Sequence, residues 1–229
     1  WVSLPIQLGS TDAIRQQIMD VVDHPALAVW EGPVVIVWTF SAYSHLAKSA
    51  GFTRDDWNVQ IPKAVNYSEE KGSEIIPKMR AGIQLVRDMD SRQLPFWVNE
   101  AADSDLGYVR GYVDEIDVTG CDYYPIRSGQ SDPQGIGRLV DRWSAVGRGK
   151  PVWMVLQGFS WHTVRPDRSR RYPSFAESRF MAYDAIVHGA RGLFYWGSSE
   201  IDDPAFRESL YALTAEIAAL ERFLVATEH

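Results

Sequence analysis

The chain holds a single cysteine, Cys121, in 229 residues. That excludes an intrachain disulfide and leaves the redox compartment open. No apolar run approaches the ~18 residues that a membrane-spanning helix requires. Positive charge is in short supply: 23 Lys and Arg stand against 30 Asp and Glu, a net charge of -7. Phosphate backbones are held by clustered positive charge, so a nucleic-acid partner is not expected. The one basic cluster, Arg165, Arg168, Arg170 and Arg171, reads first as a solvated loop and second as the wall of a binding subsite. The five His are scattered, and no His-x-His or Cys-pair spacing marks a metal site. No cofactor is expected either. Gly135-Ile136-Gly137 lacks the third glycine of a dinucleotide loop, and Gly147-Arg148-Gly149-Lys150 precedes a strand, the wrong order for a phosphate loop. Gly158-Phe159-Ser160-Trp161-His162 is not a Gly-x-Ser-x-Gly elbow, and Ser160 and His162 form no triad without a third partner. No signal-peptide pattern is read in these residues, which says nothing about the parent. Trp1 opens into a strand-like run, and Leu224 to His229 stops abruptly after a helix. It reads as a segment of a longer protein, so compartment and oligomeric state stay open.

What is present is an ordinary globular composition, 45% hydrophobic and 23% charged. Nine Trp and ten Tyr exceed the needs of a core. Their flat amphipathic faces suit stacking on weakly polar rings, although most should pack the interior. Five short apolar runs each end on a polar or aromatic group. Ala28-Val29-Trp30 meets Glu31. Pro95 to Val98 meets Asn99-Glu100. Ile116 to Cys121 meets Asp122-Tyr123-Tyr124-Pro125. Pro151 to Leu156 meets Gln157, with Trp161-His162 beyond. Gly192 to Tyr195 meets Trp196. Near-continuous apolar strands point to a parallel sheet covered on both faces. Functional groups at the carboxyl ends of such strands mark the catalytic face of a (β/α)8 barrel.

The pattern predicts strands over 2–8, 26–31, 94–99, 116–121, 151–157 and 192–196, with helices between them. Thr11 caps a helix through Asp23. Val34 to Ala50 reads as helical, 51–67 as irregular, and Glu69 to Asp90 as a helix with apolar residues at helical spacing. A helix is expected near Ser104 to Val113. Asp132-Pro133 opens one through Val146. Ser174-x-x-Glu177 is a capping box for one ending at His188, and Asp203-Pro204 starts the last. Six β–α units in alternation predict an α/β fold with right-handed crossovers. The preferred architecture is one (β/α)8 TIM barrel over 1–229 lacking its first two units, with a helical insertion near 51–93.

Glycoside hydrolysis needs two carboxyl groups across the scissile bond. Glu31, Glu100 and Asp122 are the strand-end candidates. Each also has a structural alternative: Glu31 before Gly32-Pro33 can cap a turn, and Asp122 can hold the loop to Pro125. Trp30, Asn99, Tyr123, Gln157, Trp161, His162 and Trp196 are the candidate sugar contacts. His24-Pro25-Ala26-Leu27-Ala28-Val29-Trp30, Cys121 to Pro125, Lys150-Pro151-Val152-Trp153 with Gln157, and His188 to Trp196 resemble the later strands of bacterial (β/α)8 glycoside-hydrolase-like proteins. These belong to the large group that includes β-galactosidases and cellulases.

The resemblance implies a metal-independent hydrolase fold, a carbohydrate ligand and a secreted or periplasmic parent. It also implies an acidic pair about ten residues beyond His24-Pro25 and a nucleophilic Glu at the seventh strand end. Those places hold Val34-Val35 and Gln157. Valine transfers no proton, and an amide forms no glycosyl ester. Three readings stay open: a glycosidase using Glu31 or Glu100 with Asp122, a non-catalytic carbohydrate-binding barrel, and a structural or assembly domain.

Overall fold

The structure, a computed structural model, describes residues 1–224; the end of the run from Leu224 to His229 lies outside the described residues. The strands are β1 (Val2–Ser3), β2 (Trp30–Glu31), β3 (Phe96–Trp97), β4 (Glu100–Ala101), β5 (Thr119–Asp122), β6 (Val152–Gln157) and β7 (Gly192–Trp196). The helices are α1 (Asp12–Val21), α2 (Ile36–Ser41), α3 (His45–Ser49), α4 (Arg54–Asn58), α5 (Pro62–Met89), α6 (Leu106–Val109), α7 (Gly135–Gly147), α8 (Trp161–Val164), α9 (Phe175–Val187), α10 (Pro204–Ala219) and α11 (Glu221–Leu224). The strand orders are β1-β2-β3 and β4-β5-β6-β7, and neither sheet closes on itself. The fold is α/β with parallel pairing at β1–β2, β2–β3 and β4–β5. A complete barrel is not formed by the described residues.

The described residues divide into two compact units, residues 1–122 with 142–153, and residues 123–141 with 154–224. In the first, α5 carries Met79, Ile83 and Val86 into the core. Gly82 lets that helix close on the short 3-10 turn at Ile6–Leu8: a Cβ there would stand 2.6 Å from the Ile6 Cβ. Gly120 has the same role in β5, where any Cβ would collide with the Trp153 carbonyl oxygen. A separate helical cluster packs Ala47, Phe52, Trp57 and Ala64 against Tyr43, Ile61 and Tyr67. In the second unit, α9 and α10 are joined by Arg179–Glu216 at 2.7 Å and by the Tyr183 hydroxyl donating to Glu216 at 2.8 Å.

Several expected elements are shorter than their apolar runs. The first strand stops at Ser3, because Pro5 has no N–H for a ladder, and Ile6–Leu8 turns instead. The second begins only at Trp30. His24 uses the upstream backbone locally, its Nδ1 accepting from the Ala26 N–H and its carbonyl from the Leu27 N–H. Of the run at 94–99 only Phe96–Trp97 forms a strand, β3, paired with β2; β4 lies just beyond the run, at Glu100–Ala101, and pairs with β5. The helix expected over 34–50 is two helices, since the Ser44 hydroxyl accepts from Leu46 and Ala47 and restarts the chain as α3. Residues 51–67 are not irregular: Thr53 and Asp56 form a capping box for α4, and Pro62 opens α5 seven residues ahead of Glu69. The helix expected near 104–113 is only α6 and a 3-10 turn at Val113–Glu115. Thr11, Ser174 and Asp203 cap α1, α9 and α10 as their sequences indicate.

Candidate functional site

In the first unit, parallel pairing sets Ser3 beside Glu31, Glu31 beside Trp97, and Ala101 beside Asp122. Glu31 is buried, at 7% exposure, and burial raises its carboxyl pKa, with Ser3 partly opposing the shift through a hydrogen bond. Trp30 has no exposed surface; its indole N–H donates to buried Asp90 at 2.8 Å. Asp122 is half-buried, and the Asn99 amide donates to its Oδ2 at 3.3 Å. The Asn99 Oδ1 is buried and has no hydrogen-bond partner among the described residues.

Glu100 is enclosed completely. Its two oxygens accept from the Val37 N–H at 3.1 and 3.2 Å, the Ser104 hydroxyl at 2.8 Å and the Tyr112 hydroxyl at 3.1 Å. Burial nevertheless pushes its pKa up to about 7. The arrangement has a local cause. Val35, the N-cap residue of α2, offers no capping side chain and sits in the left-handed region at φ 51°. The open N–H groups of the first turn are met by the Glu100 carboxylate from β4, which takes the place of a cap.

In the second unit, Gln157 is also fully buried. Its Oε1 accepts from the Ile126 N–H at 2.9 Å, and its Nε2 donates to the carbonyls of Ile126 and Phe159 at 2.8 and 3.0 Å. All its polar atoms are engaged, holding the loop after β5 at Ile126 and the start of the loop after β6 at Phe159. Tyr123 is half-buried with its hydroxyl 3.5 Å from Asp132. Trp196, at the end of β7, is 46% exposed. Its ring stacks on Tyr124 at 5.5 Å and 27°, and Phe159 meets it edge-on at 4.9 Å. Trp161 completes the cluster, 5.3 Å from Phe159, with its indole N–H donating to the Tyr124 carbonyl at 3.3 Å. Gly197 follows at φ 81°, and a Cβ on it would press on Phe159 at 2.7 Å. Trp161 and Trp196 are thus brought together with Tyr124 and Phe159. The last two were not picked out as contacts from sequence, although Tyr124 stands in the Asp122 to Pro125 run.

His162 is 2.7 Å from the Ser160 hydroxyl through Nδ1 and 3.2 Å from Asp202 through Nε2. This supplies the third partner missing from the sequence. Ser160, however, has no exposed surface, and its oxygen accepts the Arg171 N–H at 2.8 Å. The trio ties down the 163–172 loop rather than presenting a nucleophile. Among the described residues no three His, Cys, Asp or Glu side chains converge as metal ligands, and no helix is long and apolar enough to cross a membrane.

No protein-family model matches the chain, and no curated protein matches it. Solved structures do. The chain is similar to a β-galactosidase from Rahnella sp. R3 (TM-score 0.61, 16% identity, 94% of this chain and 39% of that one). It is similar to the β-galactosidase of the psychrophilic Marinomonas ef1 (0.59, 13%, 92% and 42%). It also matches Bacteroides uniformis β-glucuronidase 2 (0.54, 9%, 80% and 20%). The fold is glycoside-hydrolase-like. The chain spans about two fifths of the β-galactosidases it matches.

Proposed function

We propose that the chain is the later part of a (β/α)8 barrel of glycoside-hydrolase type that binds carbohydrate without the usual acid and nucleophile. The observation that carries this reading is Trp196, which offers nearly half its surface at a strand end while Tyr124 and Phe159 fix its plane. A rigid exposed ring of this kind suits stacking on a sugar face at small entropic cost. Meanwhile Glu100, a candidate carboxyl, and Gln157, at the position where the resemblance implies the nucleophile, are buried and bonded internally. Glu100 is best read as a positioning residue for α2. The similar structures are named as glycosidases, which supports a sugar as ligand.

Isothermal titration with a panel of neutral and acidic oligosaccharides tests the proposal. Binding should be measurable, and Trp196→Ala should weaken it by roughly three- to ten-fold, the worth of one aromatic contact. Equal binding by the variant, or no heat from any oligosaccharide, would overturn it and favour the assembly-domain reading.

A second reading keeps hydrolysis, with Glu31 and Asp122 as the carboxyl pair. It is favoured by their unlike settings, Glu31 buried with a raised pKa and Asp122 half-exposed beside the Asn99 amide. Reducing-sugar release that is lost in both Glu31→Gln and Asp122→Asn would establish it.

A further inference from the structure

The loops that hold the aromatic cluster carry five Arg, and two of them have no ion pair among the described residues. Residues 123–131 follow β5 and include Arg127; residues 158–173 follow β6 and include Arg165, Arg168, Arg170 and Arg171. The two loops are fastened together. Arg171 donates to the carbonyls of Arg127 at 2.7 Å and Gln130 at 3.4 Å, and Trp161 donates to the Tyr124 carbonyl.

Three of the five guanidinium groups are neutralised within the unit. Arg171 meets Glu177 at 2.7 Å, Arg170 meets Asp202 at 3.2 Å and Asp203 at 3.7 Å, and Arg168 meets Asp167 at 3.6 Å. Arg127 and Arg165 are exposed and have no carboxylate partner among the described residues. Their backbones adjoin residues of the aromatic cluster. Arg127 is three residues beyond Tyr124, and the Arg165 N–H donates to the Trp161 carbonyl at 2.8 Å, one helical turn away.

We infer that the sugar held on this aromatic platform carries an anionic group, a carboxylate or a sulfate, which Arg127 and Arg165 receive. The inference rests on the carbohydrate-binding reading above. A guanidinium fork matches two oxygens of such a group, while the flat rings take the neutral face of the sugar. The net charge of -7 makes the protein as a whole repel polyanions. Any preference for an acidic sugar therefore has to arise at a local pair such as this, not from the overall field.

The test compares tetragalacturonic acid, its fully methyl-esterified form and a sulfated galacto-tetraose by titration against the full chain at low and moderate salt. The ester keeps the sugar rings and linkages of the acid, removes its charge and adds one methyl group per residue. The acid, the sulfated sugar or both should bind roughly three- to ten-fold more tightly than the ester at low ionic strength, as two exposed ion pairs allow. That advantage should shrink as salt is added. It should vanish in the Arg127→Gln, Arg165→Gln double variant while ester binding stays unchanged. The better of the two charged ligands identifies the anion. Equal binding of charged and esterified sugars overturns the inference but leaves the platform standing. So does an advantage that survives in the double variant. Loss of ester binding in Trp196→Ala, with charge preference intact in wild type, upholds both readings, and no binding of any sugar removes both.

Discussion

Replacing Glu100 by Gln should change how stability depends on pH. In the folded protein this carboxyl titrates near 7, against 4.5 for an ordinary Glu. A folded pKa above the unfolded one means that the native state holds the proton more tightly. The protonated form therefore contributes stability that is complete below about pH 4.5, falls as pH rises, and is lost above pH 7. Each pKa unit corresponds to about 1.4 kcal/mol, so from pH 5 to pH 8 Glu100 should cost the wild type about 2 to 3 kcal/mol. The amide of the Glu100→Gln variant has no such titration. It keeps one oxygen for the Val37 N–H, and the Ser104 and Tyr112 hydroxyls can rotate to suit it. Urea denaturation of both proteins at several pH values between 5 and 8 measures the difference directly. The gap between Glu100→Gln and wild type should move in favour of the variant by that amount as pH rises. A gap that stays constant would refute the reasoning, because the native carboxyl would then be ionised throughout the range.

Two further substitutions probe the residues at the positions expected to be acidic. Gln157→Glu should not restore hydrolysis; it should destabilise at neutral pH by about 2 to 4 kcal/mol, because the new oxygen faces the Ile126 and Phe159 carbonyls that now receive amide protons. Protonation of the new carboxyl should recover part of that loss on acidification, and denaturation midpoints that do not shift with pH would count against this account. Val35→Asn should stabilise by about 1 kcal/mol and raise Tm by roughly 2–4 °C, because a β-branched residue is costly in the left-handed region that Asn tolerates. Differential scanning calorimetry reads this directly, and a lowered Tm would show that the Val35 side chain contributes packing that outweighs its backbone strain.

Much of the α/β alternation is legible in the sequence because it depends on local periodicity and local caps. Ser174 and Glu177 close their box within four residues, as the sequence indicates. Strand lengths are not legible. An apolar run at 94–99 looks like one strand throughout, yet only Phe96–Trp97 pairs with β2, and the strand paired with β5 begins beyond the run, at Glu100. Trp30 and Trp196 both close apolar runs, yet one is wholly buried against Asp90 and the other nearly half exposed on Tyr124. Nothing local distinguishes them.

The amino-acid sequence by itself determined that helices start at Thr11, Ser174 and Asp203, that no acid stands at Val34-Val35 and that an amide stands at 157. Those are properties of residue type and short-range bonding. Tertiary structure alone decided what each polar strand-end group does, because a carboxylate's role follows from which donors and how much water surround it. Glu100 receives three protein donors and no solvent, and so serves α2. Asp122 keeps partial exposure beside an amide. Tyr124 joined Trp196 only when the chain brought residues seventy-two positions apart into contact.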